Sequence, residues 1–212
     1  MGLPRVAIAA VLLFGALSAP AQHQAPAYTF GTTVVDASGL EGQVYFLDPK
    51  THKLPDFARL HSVGAIYTTS LNVWPQPFSE GFPNISDRFE WFAIEYTGRF
   101  WVETPGEYRF SLLSDDGAVL KIDGRLVVDN DGVHSATAAS AAATLSRGTH
   151  RIAVGYFQGP RFTVALVLAV APPGEPWRIF NTSDFKPPKD PSEWTPGKIS
   201  AIKPQTVGQW GR

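Results

Sequence analysis

The feature of this chain that most restricts its fold is alternation. Apolar and polar residues take turns over short runs, and turn residues cut the runs apart. In Tyr108-Arg109-Phe110-Ser111-Leu112 every second residue is apolar. Ala118, Leu120 and Ile122 form a second such face, and Ile152, Val154 and Tyr156 a third. The run from Phe89 to Trp101 is two-sided, with Phe92, Ile94, Tyr96 and Phe100 on one face and Phe89, Trp91 and Trp101 on the other. Residues 163–170 are almost continuously apolar, as a strand covered on both sides requires. Asp123-Gly124 stands between two of these runs and predicts a two-residue hairpin, because both loop positions need positive φ. Pro105-Gly106, Arg147-Gly148 and Gly159-Pro160 separate others. Strands at this spacing predict an all-β antiparallel sandwich or barrel with little or no helix.

Composition bounds what such a domain does. Of 212 residues, 44% are hydrophobic and 17% charged, which supplies a core. The formal net charge of -1 gives nothing to attract nucleic acid. There is no cysteine, so disulfides, a thiol nucleophile and thiolate metal sites are excluded. At the start, Arg5 precedes the apolar run Val6 to Leu17, and Ala19-Pro20-Ala21 offers small residues for cleavage. Residues 1–21 therefore read as a secretory signal peptide rather than a membrane span, with cleavage near Ala21 and a secreted, periplasmic or cell-surface destination. Residues 22–29 are a lead-in, 30–185 the sheet domain, and 186–212 a Pro-rich tail expected to be extended or disordered, with Trp194 and Trp210 available to dock.

Four segments offer chemistry. Ser114-Asp115-Asp116-Gly117 follows a strand, and Asp129-Asn130-Asp131-Gly132-Val133-His134 follows the hairpin's return. Adjacent carboxylates suit a hard cation such as calcium, and Asn130 and Asp131 would add oxygens if their loop lies at the same end. The same residue types also simply build turns, since Asx side chains bond nearby backbone amides. His134 stands without a second histidine at metal spacing. The third segment is Tyr156 to Pro160. The fourth is a loop from Leu71 to Asn84, where Trp74, Phe78 and Phe82 either form a stacking platform for a sugar or plug an open sheet end. No G-x-S-x-G elbow, H-E-x-x-H or P-loop occurs in the sequence.

The stretches GEYRFSLLSDDGAVLKIDGRLVVDNDGVH and LSRGTHRIAVGYFQGPRFTVALVL together resemble the protective-antigen-type module, the PA14 domain. The resemblance runs from about Phe89 to Val170 and is looser from Gly39 to Arg88. It implies a β-sandwich of the kind found in toxins, glycosidases and adhesins. In flocculin-like adhesins of the family, paired aspartates joined by a cis peptide bind calcium, and calcium contacts sugar hydroxyls. The matching residues are Asp115 and Asp116, with Gln158 where those adhesins carry an asparagine. The expected function is an exported, non-catalytic carbohydrate-binding module. Its ligand-binding residues would be Asp115, Asp116, Gln158 and Trp74, and its calcium ligands Asp115, Asp116, Gln158, Asn130 and Asp131. The alternatives are a metal-free assembly module that binds another cell-surface protein, and a small glycoside hydrolase. The partner is accordingly a glycan or a cell-surface protein, and no membrane span is expected.

Overall fold

The structure is a computed structural model that describes residues 29–205, Arg161 excepted. The signal peptide, nearly all of the lead-in, and Trp210 lie outside the described residues. The described residues form twelve strands joined by turns and by longer loops: β1 (Leu40–Phe46), β2 (Gly64–Thr68), β3 (Asn72–Pro77), β4 (Phe92–Val102), β5 (Gly106–Asp115), β6 (Ala118–Ile122), β7 (Arg125–Asn130), β8 (Thr137–Leu145), β9 (Gly148–Gln158), β10 (Thr163–Ala171), β11 (Arg178–Ile179) and β12 (Ile199–Gln205). They form two antiparallel six-stranded sheets. The first has the order β2-β1-β4-β9-β6-β7, and the second β11-β10-β5-β8-β12 with β3 also on β10. The expected all-β antiparallel sandwich is what forms, and among the described residues helix is confined to three single 3-10 turns. Among the described residues no helix is long and apolar enough to cross a membrane.

The alternation decides which residues meet between the sheets. Phe92, Ile94, Tyr96 and Phe100 of β4 point inward with Leu120, Ile122, Val154 and Tyr156, and meet Phe110, Leu112, Leu166 and Leu168 of the facing sheet. Each such side chain, fully buried, contributes about 1.5–3 kcal/mol. The Asp123-Gly124 turn closes β6 on β7 with φ of 51° and 77°, the positive pair that a type I′ turn demands. At one end of the sandwich Phe30, Phe78, Phe82, Phe92 and Tyr156 pack edge to face and stacked, with ring centroids 5.0–6.0 Å apart. Phe78 and Phe82 thus serve as a plug, which settles the choice left open for them.

Two expectations need correcting. The segment read as a loop from Leu71 contains β3, which pairs with β10 despite Pro75 and Pro77. It lies at a sheet edge, the place where a missing amide N–H is tolerated. Residues 186–205, read as a tail outside the domain, lie against it. Thr149 N–H donates to the Thr195 carbonyl and Gly197 N–H to the Thr149 carbonyl, so a strap crosses β9. The chain then enters β12, which pairs along β8.

Candidate functional site

β5, β7 and β9 all run out at the plugged end, and their three loops converge there. Asp115 is the last residue of β5. Its neighbours Phe110 and Leu112 share the inward face with Ser114, so period two turns the Asp115 side chain outward. The Asp115–Asp116 peptide bond is cis. Asp116 is buried, and its two oxygens are held separately. Oδ1 accepts the His134 amide at 3.0 Å, and Oδ2 accepts the Gly159 amide at 2.7 Å. One carboxylate thereby joins the β5–β6, β7–β8 and β9–β10 loops. Asp115 accepts the Ala136 amide. Gly117 follows because nothing larger fits: a Cβ there would lie 2.4 Å from Phe157 Cε1 and 2.8 Å from Asp131 Oδ1.

The electrostatics are those of a like-charged pair that nearby His134 offsets only in part. Burial, then the Asp116 charge, holds the Asp115 carboxyl above the ordinary carboxylate range. Burial likewise raises Asp116, against the opposing pull of the Gly159 and His134 amides. Among the described residues no ion pair includes either aspartate. Beneath them, the Tyr156 hydroxyl lies 2.6 Å from the Asp115 carbonyl and 2.7 Å from Gln158 Oε1, and shares its one proton between them. Burial, then the two aspartate charges, keeps that proton on well above the usual phenol range.

The other candidates are gathered nearby but turned elsewhere. Gln158 is fully buried, with Oε1 against Tyr156 and Nε2 donating to the Thr163 carbonyl. It braces the β9–β10 loop from within. Asn130 Nδ2 donates to Ser114 Oγ and the Thr137 carbonyl. Asp131 Oδ1 accepts the Leu54 and Gly132 amides, which ties the 47–63 loop to the site, and Asp129 Oδ1 accepts the Asp131 amide in a turn. The His134 ring spans the Ser135 and Asn130 carbonyls, 3.0 Å from each. Trp74 is 39% exposed on β3, which is separated from β5 by β10. Among the described residues no three of His, Cys, Asp or Glu group together as a metal site.

Sequence reading passed over the apolar rim. Val133 is 45% exposed on the loop that gives Asp116 one amide. Phe162 is 54% exposed on the loop that gives the other, with its ring centroid 4.8 Å from Phe89. The available signal was position: Phe162 follows a Gly-Pro turn and Val133 an Asp-Gly turn, where an apolar residue has no core to enter. Two adjacent carboxylates, with exposed Val133 and Phe162 on the loops that hold Asp116, offer hard oxygen ligands beside apolar side chains on which a ring can lie.

Comparison with known proteins agrees with this geometry. A family model for the PA14 domain matches residues 36–175. An anti-sigma factor domain-containing protein of known structure superposes with a TM-score of 0.54 at 24% identity. The overlap covers 72% of this chain and 49% of the other, so this chain spans about half that protein's length. A "PA14 sugar-binding domain from RTX adhesin" gives 0.59 at 17% identity, covering 68% and 96%. The Epithelial Adhesin 6 A domain from Candida glabrata, solved with Galβ1-3GlcNAc, gives 0.50 at 14% identity, covering 72% and 87%. No curated protein matches the chain. At these identities the solved structures establish a common fold. The family model, which spans more than half the chain, goes further: the chain belongs to the PA14 domain family.

Proposed function

We propose that this is an exported glycan-binding module that takes its sugar at the aspartate-pair end and uses calcium to do so. The observation that carries the reading is the Asp115–Asp116 pair itself: two raised carboxylates, fixed by backbone amides, in no ion pair among the described residues and opposed only in part by nearby His134. Like charges held this close favour either a proton or a metal ion. The pair fits the anionic half of a calcium site. Gln158 Oε1 is already engaged by the Tyr156 hydroxyl, whereas Asn130 is held through its Nδ2, so the remaining oxygens would come from Asn130 Oδ1, backbone carbonyls, water and the ligand. Calcium, when bound there, would neutralise the pair and accept sugar hydroxyls as ligands. The chain's own part is to hold the two carboxylates rigid through three loops and to offer Val133 and Phe162 to the apolar face of a sugar ring. The sugar-binding PA14 domain of the RTX adhesin and the adhesin domain solved with a disaccharide support the choice of glycan and an extracellular setting.

The test is calcium titration calorimetry on the mature protein, with the Asp115→Ala/Asp116→Ala double variant alongside, followed by glycan screening with and without chelator. Stoichiometric calcium binding that disappears in the variant, with glycan retention that follows it, is the expected result. Retention of a neutral glycan untouched by the double substitution would overturn the mechanism. Turnover of an oligosaccharide would replace the binding reading with a hydrolytic one.

A further inference from the structure

A second surface shows unsatisfied charge, this time positive. On the outer face of the first sheet, Arg99 of β4 and Arg151 of β9 are directly opposite each other in register. Like charges in that relation destabilise a sheet. Every other described arginine has a group against its guanidinium. Arg59 has Asp56, Arg147 has Glu103 and Glu193, and Arg178 has Glu175 and Asp184. Arg88 donates to the Leu47 and Trp91 carbonyls, Arg125 donates to the Ile199 carbonyl, and Arg109 lies over Trp177. Arg99 and Arg151 have no such partner among the described residues, and both are exposed. Lys121 adds a third exposed cation: it is paired with Ala153, whose other neighbour is Thr97. Three acids line the two cavities beside the arginines, Asp123 in one and Asp36 and Glu41 in the other, and none is in an ion pair with either arginine. Asp123 gives one oxygen to His150 and the other to the Arg151 amide, and Glu41 accepts from the Gln43 side chain.

The two arginines line a trough of about 700 Å³, with Thr97, Thr149 and Ala153 as its floor and Pro196 of the strap along one side. It continues, through shared Thr97, Arg99 and Thr149, into a second cavity of about 640 Å³. There the 51%-exposed Trp194 stands as a wall, its indole N–H fixed on the Pro188 carbonyl. Cations, hydroxyls on a floor of small side chains, and a fixed indole face in line are the groups that hold a chain of sugar rings bearing oxyanions. We infer that this trough is a second, calcium-independent site for an anionic glycan, with its carboxylate or sulfate groups on Arg99 and Arg151. The sugar as carrier rests on the glycan-binding reading above; the anion does not, and the site shares no residue with the aspartate pair.

The test uses the whole chain in chelator, where the aspartate pair is silent. It is titrated with an oligouronate, a sulfated oligosaccharide and a neutral oligosaccharide of equal length. One or both anionic ligands bind, more weakly as salt rises, and the better of the two identifies the oxyanion. Affinity falls about tenfold or more in Arg99→Ala/Arg151→Ala and is unchanged in Asp115→Ala/Asp116→Ala. Both arginine side chains are exposed, so the double variant keeps the fold, and an unchanged melting temperature checks this. Failure of both anionic ligands to bind, equal binding of the neutral one, or affinity that ignores the arginine substitutions would each overturn the inference and leave the calcium reading untouched.

Discussion

Asp116 accepts a backbone N–H on each carboxylate oxygen, whereas Asp115 has the Ala136 amide and its neighbour's charge. The two therefore respond differently to substitution. In chelator, Asp115→Asn removes repulsion and leaves the melting temperature equal or higher. Asp116→Asn turns an NH2 toward one of its two amide donors and costs about 1–3 kcal/mol. Thermal melts of the two variants check this. The pH sign follows from the same pair. Both folded-state values are raised, so the folded protein prefers the protonated acids. Their contribution to stability is complete below the ordinary carboxylate value and is lost as pH rises through the raised one. The calcium-free protein thus gains stability relative to the Asp115→Asn/Asp116→Asn variant on mild acidification, and calcium affinity falls over the same range. At Gly117, alanine would force a Cβ onto Phe157 and Asp131. Gly117→Ala lowers both the melting temperature and calcium affinity, read by calorimetry. Residue types alone left the aspartates open between turn building and metal binding, and only the resemblance singled them out. The inward turn of Gln158 was legible: it shares strand parity with Ile152, Val154 and Tyr156. The resemblance offered it as a calcium ligand, whereas it ends β9 with its Oε1 against Tyr156.

Most strands of the core showed themselves, β5, β6 and β9 by alternation, β4 by two apolar faces and β10 by a continuous apolar run, whereas alanine-rich β8 did not. Nor did the edge elements. β3 contains Pro75 and Pro77, β11 is two residues long, and β12 carries Lys203 and Pro204. An edge strand needs only one ladder of hydrogen bonds, so its sequence has no reason to alternate cleanly. β12 nonetheless covers β8 from Leu145 to Ser140, with Ile199 and Ile202 against the core. Truncation after Gly197 uncovers that edge. The expected outcome is a lower melting temperature together with concentration-dependent association in size-exclusion chromatography.

Across the whole molecule, the end opposite the aspartates is tied by one buried histidine. His150 stacks on Phe100, and its ring bridges the Asp123 carboxylate at 2.7 Å and the Ser146 carbonyl at 2.9 Å. Ser146 Oγ accepts the Lys198 amide at the start of the return to β12. His150→Ala leaves Asp123 and Ser146 short of a partner and opens a hole under the strap. It costs about 2–4 kcal/mol in denaturant titrations, with the aspartate-pair site unaffected. The sequence showed a sandwich but not this tie, because it joins residues from three turns that only the finished sheets bring together.

The pairing of β12 with β8 also sets an order in time. β8 ends at Leu145 and its partner runs to Gln205, so about sixty residues must follow before the ladder is complete. At roughly 5–20 residues per second, a chain produced from its N-terminus holds that edge open for about 3–12 s. Small β-sandwiches fold within milliseconds to seconds, so folding and synthesis run at comparable speeds here. The last of the described strands to arrive then acts as a stopper: its pairing closes an edge that has waited on about sixty residues of chain.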